Sequence, residues 1–345
     1  MSVRFDVIAA TIALAGLALF FLAAAGDPSA GLQGWLAAAM AWVAASLGCL
    51  IVCLMRVVAG AGIGRGFGPA LAAAGGTLPL MAVAFIPVWI GLAGLYPWAT
   101  VPPEGDFQKL WLQPGFFIGR GVAYFVLWIG LAILVLRQGR PTAVAGLIIV
   151  GLTGSLASVD WMMSLEPQVH SSIYGMLFLS HACLVGWALA AAMTLLSGRP
   201  ATPQIAAGYI IGGIALWAYL SFCQYLVVWN GNEPSDIGWY LLREGHGWGR
   251  LFWAASLLEG ILPFLFLMPA RMRASGSAVA VVALVLVIGG ILEMSLLVLP
   301  AFRGDFGASA PEAFAASVGL GGIWLLVFAR RYRRLAGPAD EVRHG

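Results

Sequence analysis

Charge is what this chain has least of. Of its 345 residues only 10% are Asp, Glu, Lys or Arg, while 61% are hydrophobic, and the mean hydropathy is +0.93. A water-soluble domain carries about 25% charged residues, so a soluble fold is excluded and no nucleic-acid partner is expected. Cysteine is nearly as scarce. Cys49, Cys53, Cys183 and Cys223 all sit inside apolar runs, and none forms a C-x-x-C or C-x-x-C-H pattern. The sequence therefore offers no ligand set for an iron–sulfur cluster, a c-type haem or a structural zinc. Cys49 and Cys53, one helical turn apart, read as small buried packing residues rather than as a metal pair.

What is present is a succession of long apolar runs. A helix needs about 20 apolar residues to cross a bilayer, and ten stretches qualify: 6–26, 32–55, 69–97, 115–137, 141–163, 171–196, 204–229, 247–270, 276–300 and 310–329. The expected fold is all-α: one integral membrane domain over 1–345, with about ten transmembrane helices, two groups of four and two peripheral helices. The first run has an Arg4 flank and an Ala23-Ala24-Ala25 end, as a secretory signal would. Its apolar core from Val7 to Ala25 exceeds the usual 7–15 residues of a signal, so a retained helix is expected.

Basic residues alternate between loops. Arg4, Arg56, Arg65, Arg137, Arg140, Arg199, Arg271, Arg273, Arg330, Arg331, Arg333, Arg334 and Arg343 gather on one side, 13 of the 18. The other side holds Lys109, Arg120, Arg243, Arg250 and Arg303 mixed with most of the acidic residues and many tryptophans. The positive-inside rule then places both termini in the cytoplasm, and a bacterial cytoplasmic membrane is expected. Small residues are plentiful, with 45 glycines. Gly151-Leu152-Thr153-Gly154 suits close helix approach, and Gly60-Ala61-Gly62-Ile63-Gly64 reads as a loop.

The scarce charges inside the runs are the candidates for chemistry, because a charge in hydrocarbon costs roughly 2.5–3.5 kcal/mol or more. Asp160, His181, Glu259 and Glu293 qualify. At about 1.5 Å per residue, Asp160 lies roughly 5 Å from the outer end of its run, Glu293 roughly 10 Å, His181 roughly 15 Å and Glu259 roughly 18 Å. All occupy the outer half or the centre, and the inner half has only hydroxyls such as Thr142, Thr194 and Tyr209. Joined in one path they form a half-channel open outward. Glu259, followed by Gly260 and Pro263, is the strongest single candidate. Asp160 and Glu166 also fit interfacial solvation with a helix cap before Pro167, and His181 also fits a hydrogen-bonded packing role. Tyr174 shares a helix face with His181. Ser221, Gln224 and Tyr225 share a stripe on the seventh run, while Trp229, Trp239 and Tyr240 fit an aromatic belt. Asn230-Gly231-Asn232-Glu233-Pro234 reads as a turn, a re-entrant element or a docking surface.

Two segments carry a family likeness. Asp160-Trp161, Met163-Ser164-Leu165-Glu166-Pro167 and Ser171 through Tyr174-Gly175 form one; Gln224-Tyr225, Trp229, Gly231-Asn232, Pro234, Trp239-Tyr240 and Arg243 form the other. Leu78-Pro79-Leu80, Phe85-Ile86-Pro87, Leu95-Tyr96-Pro97-Trp98, and Arg120 with Tyr124-Phe125 and Trp128 precede them in the same order. Together, over about 69–272, these resemble the ActF-type membrane subunit of bacterial alternative complex III. Val169, Asn230 and Glu233 depart from the family pattern.

The resemblance implies a ten-helix subunit, related to NrfD-like quinol-interacting proteins, in a respiratory quinol:electron-acceptor oxidoreductase. Its implied partners are an NrfD-like sister membrane subunit, an iron–sulfur protein, multihaem cytochromes c, a terminal oxidase and lipid. Haem c and iron–sulfur clusters belong to those partners; this chain is expected to bind no cofactor, with quinol the one small molecule in question. The expectation is a structural subunit without a redox centre of its own, with Asp160, His181, Glu259, Glu293, Tyr174, Glu166, Gln224 and Tyr225 as proton-path or quinol candidates. A quinone-binding subunit in its own right is the second reading. A secondary transporter is the third, though Glu259 with Pro263 supplies only half of the paired broken helices that class uses.

Overall fold

The computed structural model describes residues 3–60, 66–134, 140–245, 247–302 and 310–336. Arg65, Arg137, Arg303, Arg343 and most of the Gly60–Gly64 loop lie outside them. Among the described residues every regular element is helical, and ten helices are long and apolar enough to cross a membrane. The spans are Arg4–Gly26, Pro28–Ala59, Gly68–Ile90, Pro114–Leu134, Arg140–Leu165, Tyr174–Leu196, Pro203–Gly231, Trp248–Leu267, Gly276–Ala301 and Ala310–Ala336. The chain is a polytopic all-α membrane protein.

Two boundaries differ from the sequence expectation for physical reasons. The third span ends at Ile90 rather than 97 and is broken into Gly68–Gly75, Leu78–Ala84 and Ile86–Ile90. Pro79 and Pro87 each open a new segment, because proline supplies no N–H to the preceding turn and clashes with its carbonyl. The tenth helix runs on to Ala336 through Arg330, Arg331, Arg333 and Arg334. Its arginines prolong it beyond the apolar stretch that marked its end in the sequence.

The second span is the axis of the molecule: 89% of its most apolar window is buried. It is built from alanine and glycine, whose short side chains let neighbours reach its backbone. The sixth span crosses it there. A β-carbon on Gly48 would overlap the Ala182 carbonyl, and one on Gly186 would lie 2.5 Å from the Cys49 nitrogen. The Cys49 thiol donates to the Gly186 carbonyl at 3.0 Å across the same crossing. Gly151, by contrast, faces open space, and Gly154 meets the side chains of Leu179 and Leu47 rather than a backbone.

Around this pair, the third to fifth spans gather on one side and the seventh to ninth on the other. The first span lies along the tenth, their backbones touching at Gly16, Gly319 and Gly322. The tenth also packs on the second and third, where the Trp324 indole donates to Ser46 Oγ at 2.9 Å and Ser46 meets Thr77 Oγ1 at 2.8 Å. One end of the bundle is arginine-rich: Arg333 bridges to Asp6 at 2.8 Å, and Arg199 donates to the Ala336 carbonyl. The other, acidic end carries Asp160, Glu166 and the surface helix Pro234–Glu244.

Candidate functional site

The polar groups singled out from the sequence fall into three places, and Asp160 stands apart. It is 1% exposed and closes the fifth span. Arg120 Nε and Nη2 donate to its two oxygens at 3.0 and 2.9 Å, Trp111 Nε1 donates at 2.8 Å and the Tyr124 hydroxyl at 2.9 Å. The Arg120 guanidinium also lies 4.0 Å from the Trp111 ring. Every oxygen of the carboxylate is engaged, so Asp160 ties the fourth and fifth spans to the short helix Asp106–Trp111. It does not line the cavity that holds Tyr174, His181 and Glu293. Asp160→Asn is expected to lower unfolding stability by about 1.5–3 kcal/mol, the value of a hydrogen bond to a charged group, read by denaturant unfolding in detergent. Proton movement should be unchanged.

Glu166 forms the second place. It is 9% exposed and accepts from Arg243 Nη2 at 2.7 Å. Arg243 also donates to the carbonyls of Trp239, Leu296 and Leu297, each at 3.1 Å, and stacks over the Trp239 ring at 3.7 Å. Arg243 therefore fastens the surface helix to the turn after the fifth span and to the end of the ninth. Trp239, expected in an aromatic belt, also supplies the ring on which this guanidinium stacks. Asn232, in the left-handed conformation with φ 50, caps the seventh span and turns the chain into the surface helix. Asparagine tolerates that conformation better than most residues.

The third place is a cavity of about 300 Å³ between the sixth, seventh, eighth and ninth spans and the surface helix. Tyr174, His181, Gln224, Tyr225 and Glu293 all line it, with Ser171, Ser221, Ser256 and Arg243 among its other polar groups. Ser171 Oγ donates to Gln224 Oε1 at 2.5 Å, joining the turn to the seventh span. Burial pushes the Tyr240 phenol, on the surface helix and at the cavity wall, above its ordinary range, which keeps it a hydrogen-bond donor. Phe222, Tyr225 and Phe252 line the cavity yet remain exposed, so it opens on the side of the bundle between the seventh and eighth spans.

Behind its deep wall stands Glu259, 0% exposed. Its Oε1 lies 2.7 Å from His181 Nδ1. Apart from this mutual approach, neither carboxylate oxygen nor Nδ1 has a hydrogen-bond partner among the described residues. Glu293 is within electrostatic range of both. A buried carboxylate and imidazole, with the half-buried Glu293 at the cavity wall beside them, can accept, hold and pass on a proton. Their rarity inside apolar runs revealed Glu259, His181 and Glu293 individually. Arg120 and Arg243, as the partners of Asp160 and Glu166, were hidden because each pair joins distant segments.

Cys49 and Cys53 are buried in the central crossing. Among the described residues, no three His, Cys, Asp or Glu side chains converge as a metal-binding group. Compared with known proteins, the chain matches no family model and no curated protein.

Proposed function

We propose that this chain is an integral subunit of a bacterial respiratory quinol-oxidising assembly, of the ActF type of alternative complex III, and that it handles protons at the His181–Glu259–Glu293 cluster. The observation that carries this reading is the 2.7 Å approach of His181 Nδ1 to Glu259 Oε1 in a fully buried setting. An ionisable pair with no other partner is costly in lipid, and its retention speaks for use. With the arginine-rich end cytoplasmic, the cavity faces the outer side of the cytoplasmic membrane, where multihaem cytochromes c and an iron–sulfur partner dock. Haem c and iron–sulfur groups then reside in those partners, and an NrfD-like sister subunit stands beside this chain in the membrane.

Glu259→Gln keeps the shape of the side chain and removes its charge. In the purified, reconstituted assembly it is expected to lower protons moved per electron while leaving the subunits together. Unchanged proton stoichiometry in an intact assembly would overturn the reading. Tagged chain purified from its native membranes should also bring down cytochrome c and iron–sulfur subunits.

The lateral opening of the cavity favours one further reading, that quinol itself enters it. Its wall is amphipathic, with aromatic rings beside Gln224, Tyr240 and His181. A photoactivatable quinone analogue should then label residues of the seventh or eighth span; labelling confined to partner subunits would exclude it.

A further inference from the structure

The eighth span does not keep one helical register. It is α-helical over Trp248–Ser256, opens into a π turn over Leu257–Ile261 and resumes as α-helix at Leu262. The Leu262 N–H bonds to the Leu257 carbonyl, five residues back. π-helix is rare, occurs mostly as single-turn bulges inside α-helices, and is frequent at functional sites. Glu259 sits at the middle of this one.

Pro263 supplies the local cause. A proline at position i has no N–H for the helix and its ring clashes with the carbonyl of i−4, which here belongs to Glu259. Widening the turn moves that carbonyl aside. Across the bulge the extra residue offsets the helix by about 100°, since an α-helix turns once in 3.6 residues, and Glu259 lies within that change of register.

A proline alone would give a kink. The neighbouring ninth span is shaped to receive this particular bulge. A β-carbon on Gly289 would stand 2.7 Å from the Glu259 nitrogen and 3.0 Å from its Cα, both backbone atoms that no rotamer change can move. On the adjacent Gly290 it would stand 2.5 Å from Val185 Cγ2 and 3.3 Å from His181 Cε1. Two consecutive glycines thus accept the bulge on one side and the histidine helix on the other. Gly260 completes the seat, lying against the Trp217 ring with 3.1 Å for a β-carbon.

We propose that Pro263 and Gly289 are positioning residues: together they build and dock the π turn that holds the Glu259 carboxylate against His181. The proposal rests on reading that pair as the proton-handling end of the cavity, but its test does not depend on proton transport. The full chain, with nitrogen-15 histidine, is placed in lipid nanodiscs and the His181 Nδ1 resonance is assigned by its loss in His181→Gln. Glu259→Gln should shift that resonance.

Pro263→Ala, which favours an uninterrupted α-helix and removes no side chain that touches His181, should shift it in the same sense. Gly289→Ala should do likewise by pushing the bulge away. An Nδ1 resonance in Pro263→Ala identical to wild type overturns the proposal, and so does a Glu259→Gln protein in which Nδ1 does not move. If Glu259→Gln moves the resonance but leaves proton stoichiometry unchanged, the functional reading falls and the positioning role stands.

Discussion

Arg243→Ala is expected to destabilise the protein by about 3–5 kcal/mol, the cost of breaking a buried ion pair from one side. Glu166 would be left 9% exposed with no other side-chain hydrogen-bond partner among those described. The carbonyls of Trp239, Leu296 and Leu297 would lose their shared donor, and Trp239 the cation above its ring. The surface helix should therefore detach first, seen as faster hydrogen exchange over 234–244 before global unfolding. Removing both charges with apolar residues of similar volume is often neutral. Arg243→Met with Glu166→Leu should accordingly recover most of the loss. A single-variant cost below about 1 kcal/mol, the range of a solvated pair, would show that water reaches this contact.

Gly48→Val should be at least as damaging, for a reason that involves no charge. Overpacking a core usually costs about 1–3 kcal/mol because neighbours can shift. At Gly48 the obstacle is the Ala182 carbonyl, part of the backbone of the facing helix. The second and sixth spans must separate, which would break the Cys49–Gly186 contact and disturb packing on both sides of the bundle. The expected result is loss of the monodisperse peak in fluorescence-detected size-exclusion chromatography. Gly151→Ala, whose new methyl would meet nothing within 4 Å, should leave that peak unchanged. A normal profile for Gly48→Val would mean that the two spans do not cross there.

These two cases show where the sequence was readable. Long apolar runs announce membrane helices because nothing else tolerates them, and all ten are present. Their internal breaks were less visible: Pro79 and Pro87 lie inside an uninterrupted apolar run, yet they split the third span. Which side of a span faces inward was harder still. When a helix is apolar all round, periodicity separates lipid from core poorly, so Gly151 looked like a packing glycine and Gly48 was not singled out. Ionisable residues stood out because they are rare in such a chain. Their partners did not, since Glu166 and Arg243 are 77 positions apart and meet only through folding. Asp160 was visible for the same reason as Glu259, but the four donors that fasten it came together only in the fold.

The side opening of the cavity sets how it would be filled. Phe222, Tyr225 and Phe252 form an exposed aromatic rim on the side of the bundle, which in a bilayer would meet the acyl chains rather than the aqueous phase. A fat-soluble molecule taken up there would arrive by two-dimensional diffusion within the leaflet. Its occupancy would follow its mole fraction in the bilayer and not its concentration in water. Diluting such a compound with extra lipid would empty the cavity even while the total amount per volume of buffer stayed constant.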